Sequence, residues 1–214
     1  MGFCVFNTVA VGAAHARAAG VRRVAIVDYD VHHGNGTQWM FYADPAVLFV
    51  SMHQFPYYPG TGAAHEIGHG AGEGYTLNFP LDAGATDADY DRLFAKAIVP
   101  VLQRFEPELI LVSAGFDAHE RDPLGGMRMS TGGFDRISRR LIEVADRCCA
   151  GRIVFVTEGG YDLSALGACL DALVTALASD TVAPPGEPLA GDAARAEACL
   201  AEVRAAQGKH WPSL

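Results

Sequence analysis

Arg23-Val24-Ala25-Ile26-Val27-Asp28-Tyr29-Asp30-Val31-His32-His33-Gly34-Asn35-Gly36 is the stretch on which the reading of this chain turns. Its first part is a short apolar run ending at an aspartate, the pattern of a strand buried on both faces. Its second part alternates. Asp28, Asp30 and His32 are two residues apart, so a backbone that stays extended projects all three to one side. Two carboxylates and an imidazole suit a borderline divalent cation such as zinc. Asp-x-Asp after a strand is also common as a plain acidic turn. The adjacent histidine pair and Gly34-Asn35-Gly36 argue against a chance match.

Outward from this stretch, strand-like and helix-like segments alternate along all 214 residues. Asn7 is placed to cap a helix that runs to Ala19 and closes at Gly20. Further strands are expected at 47–52, 75–79, 109–113 and 153–156. Between them, Thr86 starts a helix carrying Leu93, Phe94, Ile98, Val101, Leu102 and Phe105, which Pro100 should kink. Phe134, Ile137, Leu141, Val144 and Cys148 recur at helical spacing. Asp162 caps a helix with Leu166, Leu170, Leu173, Val174 and Leu177. Pro184, Pro185, Gly186 and Pro188 form a linker to a last alanine-rich helix. This alternation predicts an α/β fold with a mainly parallel sheet.

Composition bounds the function. Half of the residues are hydrophobic, enough for one large domain or a piece of a bigger one. A net charge of −9 argues against general affinity for nucleic acid. No apolar run reaches membrane-spanning length. The opening Met1-Gly2-Phe3-Cys4-Val5-Phe6 lacks the basic leader of a signal peptide. The five cysteines (Cys4, Cys148, Cys149, Cys169 and Cys199) contain no C-x-x-C pair. They read as free thiols in a reducing cytoplasm.

In open α/β sheets, sites gather beyond the carboxyl ends of parallel strands. Three such ends carry reactive side chains here: Asp28 through His33, Ala114-Gly115-Phe116-Asp117, and Glu158-Gly159-Gly160-Tyr161. Taken singly, Asp117 reads as a turn residue and Tyr161 as a packed aromatic. Their shared position at strand ends makes them candidates.

These blocks, with Gly2 through Asn7, Phe55 through Gly62 and Ser113 through His119, resemble the histone deacetylase family in its class II and bacterial amidohydrolase branch. The resemblance runs in family order from the first residues to Tyr161. It implies a three-layer α/β/α arrangement of the arginase/deacetylase type and a zinc-dependent amidohydrolase. The expected substrate is acetyl-lysine in a protein, or an acetylated polyamine or other small amide. Carried over by position, it implies that Asp30, His32 and Asp117 bind Zn2+, leaving room for water and the substrate carbonyl. Tyr161 would donate a hydrogen bond to the developing oxyanion. Asp28 would lie behind the ligands and orient a neighbouring imidazole. A monovalent cation, K+, would sit beside the zinc at Asp28, Asp30, His32, Ser51 and Met52, with Asn35 also in this surrounding layer. Phe3, Tyr58 and Leu124 match the wall of an apolar tunnel, and the Gly2 carbonyl region would meet the substrate amide.

His65-Glu66-Ile67-Gly68-His69 also fits H-E-x-x-H, but that chemistry needs a helix. The glycines at 62, 68, 70, 72 and 74 predict a loop instead. The family further carries a tandem histidine pair upstream of Gly-Phe-Cys as general acid and base. None of the eight histidines here matches that role, and His33 is expected to point away from the site. Residues 1–180 are therefore expected to be the C-terminal part of a deacetylase catalytic domain, N-terminally incomplete. Residues 181–214 would be its linker and C-terminal helix. An exposed apolar sheet edge or face should result. The alternative reading is a metal-binding fragment without turnover.

Overall fold

Val24–Asp28 forms β1, and all five of its residues are buried. In the computed structural model, which describes residues 5–179 and 186–214, it is the central strand of five. The others are β2 (Val47–Gln54), β3 (Thr76–Leu81), β4 (Leu109–Ala114) and β5 (Ile153–Thr157). The sheet order is β3-β2-β1-β4-β5, and every pairing is parallel. The predicted strands are all present. Their continuous apolar runs follow from burial on both faces.

Alternate residues feed two separate layers. Val24, Ile26, Val47, Phe49 and Leu111 pack against Val9, Ala10, Ala13 and Ala16 of α1 (Thr8–Ala18), with Phe41 of α2 (Asn35–Phe41). Ala25, Val27, Leu48, Val50, Leu77, Phe79, Ile110 and Val112 face the larger core on the other side. That layer holds α3 (Asp87–Leu93), α4 (Val99–Phe105), α5 (Thr131–Cys149), α6 (Leu163–Leu177) and α7 (Ala194–Gln207). The result is the three-layer α/β/α arrangement. Among the described residues, no helix is long and apolar enough to cross a membrane.

The helix starts obey local chemistry. Asn7 Oδ1 accepts the Ala10 amide at 2.9 Å, and Asp162 Oδ1 accepts the Ala165 amide at 2.8 Å. Ser130 caps α5 by accepting the Gly133 amide on its Oγ at 3.1 Å. Each such cap contributes about 1 kcal/mol. Pro100 does what its chemistry demands by another route than a simple kink. It cannot bond back to Lys96, and its ring crowds that carbonyl. The preceding turn widens into a π segment, Phe94–Ile98, and the Val99 amide bonds to Phe94 O.

The short helix α2 is hidden in the sequence, because Gly34 and Gly36 read as loop. At the sheet edge, Val154 of β5 is 48 % exposed. An apolar edge was the sequence expectation, and it lies at β5. Pro184 and Pro185 of the expected linker lie outside the described residues.

Asp91 ties α3 to α5. It is buried, accepts Arg140 Nε at 2.6 Å, pairs with Arg136 at 2.9 Å and takes the Leu189 amide at 2.8 Å. Burial alone would raise its pKa; the bonds from Arg140, Leu189 and Arg136 outweigh that and hold it below the usual range. Replacing one partner of a buried pair strands the other charge. Asp91→Ala is expected to lower the urea-unfolding free energy at neutral pH by ~3–5 kcal/mol. A loss below about 1 kcal/mol would show that the arginines are solvated without it.

Candidate metal centre

The chain runs from β1 out to β3 on one side and then crosses to β4 on the other. The boundary between β1 and β4 is therefore the topological switch point, where strand ends diverge and leave a crevice. Asp28 closes β1 opposite Ser51 of β2 and Ser113 of β4. The loops after β1, β4 and β5 meet there.

Asp30, His32 and Asp117 converge in that crevice. Each offers a ligand atom, and these atoms lie within 4.8 Å of one another. His32 Nδ1 is 3.0 Å from Asp30 Oδ1 and 3.1 Å from Asp117 Oδ2. Backbone amides aim the carboxylates: Val31 N–H donates to Asp117 Oδ1 at 2.8 Å and His32 N–H to Asp30 Oδ1 at 2.8 Å. Asp30 Oδ2 takes the Gly159 amide at 3.2 Å. The strand has ended at Asp28, yet the alternation persists. Tyr29 and Val31 are drawn into the core, so Asp28, Asp30 and His32 all line the cleft.

The neighbouring chain is shaped around this cluster. A Cβ on Gly115 would fall 2.2 Å from Asp30 Oδ2, and one on Gly159 would fall 2.3 Å from Asp117 Oδ2. Both distances are impossible for a real side chain, so these positions hold glycine for close approach. Asp117 is wholly buried. Its burial, and then the charge of Asp30, push its pKa up to about 6 against the lowering effect of His32 and the Val31 amide. Asp28 is also raised, by burial first and Asp30 second. Burial lowers His32, but its bonds to Asp117 and Asp30 and their charges win and hold it at about 10. The cluster thus demands positive charge and, without a metal, keeps a proton on His32. That demand and the donor set fit a divalent cation bound by oxygen and nitrogen.

The remaining candidates are placed as follows. Tyr161, on the loop after β5, is 37 % exposed and lines the same cleft of about 880 Å³. Tyr58 and Leu124 also line it. Ser51 is buried beside His53, 3.0 Å from its Nδ1, and Met52 lies in the main core. Asn35 begins α2 and is buried. Gly2 and Phe3 lie outside the described residues. The Asp28 carboxylate is buried at the end of β1 and accepts the Asp30 amide at 3.1 Å.

Sequence reasoning missed Tyr57. Its ring stacks on His32 at 5.5 Å, and its hydroxyl donates to the Leu124 carbonyl. Only its neighbour Tyr58 had been matched to the wall. His33 points away, to Thr61 Oγ1 at 2.7 Å and Gln38 Oε1 at 3.0 Å. Burial keeps it and His53 neutral, His53 down to about 3. The H-E-x-x-H stretch is loop. Glu66 there accepts the Gly62 amide at 2.9 Å, the Ala63 amide at 3.0 Å and Gln38 Nε2 at 2.6 Å.

The model of the histone deacetylase domain matches residues 1–177. The chain belongs to the histone deacetylase family. Histone deacetylase 10, chloroplastic, of Oryza sativa subsp. japonica is 52 % identical over 167 residues, covering 78 % of this chain and 38 % of that protein. Histone deacetylase 15 of Arabidopsis thaliana is 40 % identical over 220 residues, covering 100 % and 39 %. The crystal structure of the HDA15 HD domain superposes with a TM-score of 0.88 at 39 % identity, over 100 % of this chain and 58 % of that one. The histone deacetylase Clr3 does so at 0.87 and 35 %, over 98 % and 36 %. The chain spans less than half the length of these two curated relatives.

Divalent-metal binding must displace the proton on His32. Affinity should therefore rise with pH, about tenfold per unit between about pH 6 and 8, with release of one proton. Calorimetric titration in buffers of different ionisation enthalpy reads both quantities. A pH-independent affinity without proton release would contradict the site.

Proposed function

We propose that this chain carries the metal centre of a zinc-dependent deacetylase acting on acetyl-lysine in proteins. The observation that supports it most is the Asp30–His32–Asp117 cluster, facing a cleft that Tyr161 also lines, in a chain of this family. Zinc held by these three residues would polarise an amide carbonyl and acidify an attacking water. The protein's own part is to hold and orient. Asp117 and Asp30 keep their geometry through the Val31, His32 and Gly159 amides. The Tyr161 phenol donates to the carbonyl oxygen as negative charge develops on it. Tyr58 and Leu124 offer apolar walls to a neutral four-methylene arm, and Tyr57 stacks on His32 behind them. In the same reading Asp28, Asp30, His32, Ser51 and Met52 would hold K+, a second positive charge for this acidic cluster. Cys148, Cys149, Cys169 and Cys199 are free, which suits a reducing compartment such as the cytoplasm.

A second reading, metal and ligand binding with weak turnover, has its own support. Among the described residues the other buried imidazoles are committed elsewhere. His33 faces Thr61 and Gln38, His53 faces Ser51 and Gly62, and His119 faces Thr131 and Arg121. None is placed as a general base, a role that contributes ~10²–10⁴ in rate.

The zinc-loaded chain, given an acetyl-lysine peptide and an acetylated polyamine in parallel, separates these readings. Deacetylation of the peptide is expected, and Tyr161→Phe should lower kcat by ~10²–10³ with zinc content unchanged. Unchanged kcat in the variant would remove Tyr161 from the mechanism. Tight zinc binding with no turnover of either substrate would favour the second reading.

A further inference from the structure

Asp122 lies on the loop between β4 and α5 and is buried. Its two carboxylate oxygens are divided between two chain segments. Oδ1 accepts the amides of Leu124 at 2.9 Å and Gly125 at 3.3 Å. Oδ2 accepts the amide of Tyr161 at 2.7 Å. The first pair is a local turn and would hold in any loop of this shape. The bond to Tyr161 is different: it reaches 39 residues along the chain, onto the segment that presents the phenol. The adjacent residues repeat the link, with Arg121 3.1 Å from Asp162. Tyr161 belongs to neither β5 nor α6, so no strand or helix ladder engages its amide.

We infer that Asp122 is a positioning residue, which sets where the Tyr161 phenol stands relative to Leu124 across the mouth of the cleft. The inference rests on the reading of Tyr161 given above. A carboxylate suits this task because it only accepts, and three N–H groups converge on it from two directions. Asparagine has the same shape but must turn an NH2 toward one of those donors. Either the Tyr161 amide or the Leu124 and Gly125 amides then lose their partner. A bond of this kind fixes the donor before the substrate arrives, so the phenol need not be ordered during reaction.

The test uses the zinc-loaded chain and octanohydroxamate, a linear aliphatic chelator that presents a carbonyl oxygen beside a metal. Its affinity is measured for the unsubstituted chain, Asp122→Asn, Tyr161→Phe and the double variant. Each single substitution should weaken binding about tenfold, and the double should be no weaker than Tyr161→Phe alone. Equal weakening by Asp122→Asn with and without the phenol, or none, would overturn the inference. In the metal-free chain, amide exchange at Tyr161 should accelerate at least about tenfold in Asp122→Asn, with the Val31 and Phe116 amides unchanged. No acceleration, or acceleration of all three together, would also overturn it. If Tyr161→Phe itself leaves affinity unchanged, the reading of Tyr161 fails, and the exchange result alone decides whether Asp122 fixes the loop.

Discussion

The repulsion between two neighbouring carboxylates, the half-buried Asp30 and the fully buried Asp117, is the constraint around which the rest of this structure is arranged. Asp117 is enclosed, and Asp30 is anchored through the Gly159 and His32 amides. Like charges this close demand a cation or a proton between them. Much of the surrounding chain serves that demand. The parallel pairing of β1 with β4 brings the two loops together at the switch point. Gly115 and Gly159 give the carboxylates room. His32 places a ring nitrogen beside both carboxylates, and they hold its proton well above the usual imidazole range.

How legible this was depends on which physics wrote each part. The strands were plain, because parallel strands buried on both faces must be apolar throughout. Asp28, Asp30 and His32 were plain as a set, since Tyr29 and Val31 enter the core and force the alternation even where the strand has ended. Asp117 was not plain from spacing. It belongs with Asp30 only because β4 lies next to β1, and that is a fact of topology. Its place at a strand end made it a candidate, the family resemblance joined it to Asp30 and His32, and the fold brings the three together. Helix α2 was obscured by its glycines, Gly34 and Gly36. Tyr57 was passed over because two tyrosines stand side by side, and only the turn of the chain decides which one meets His32.

The H-E-x-x-H stretch teaches the opposite lesson. Its residue types match a metalloprotease pattern, but its glycines deny it a helix. Glu66 is consumed by the Gly62 and Ala63 amides and by Gln38. Residue identity suggested one metal site and backbone conformation rejected it. At Asp30, His32 and Asp117, identity and backbone agree.

Zinc K-edge X-ray absorption on the metal-loaded chain tests the central claim most directly. The account predicts a first shell of oxygen and nitrogen at about 2.0–2.2 Å, with outer-shell scattering from a single imidazole. Scattering from two imidazoles would place the metal on a histidine pair instead, and a sulfur shell near about 2.3 Å would place it on cysteine. Either result would contradict the assignment of Asp30, His32 and Asp117 as the metal centre.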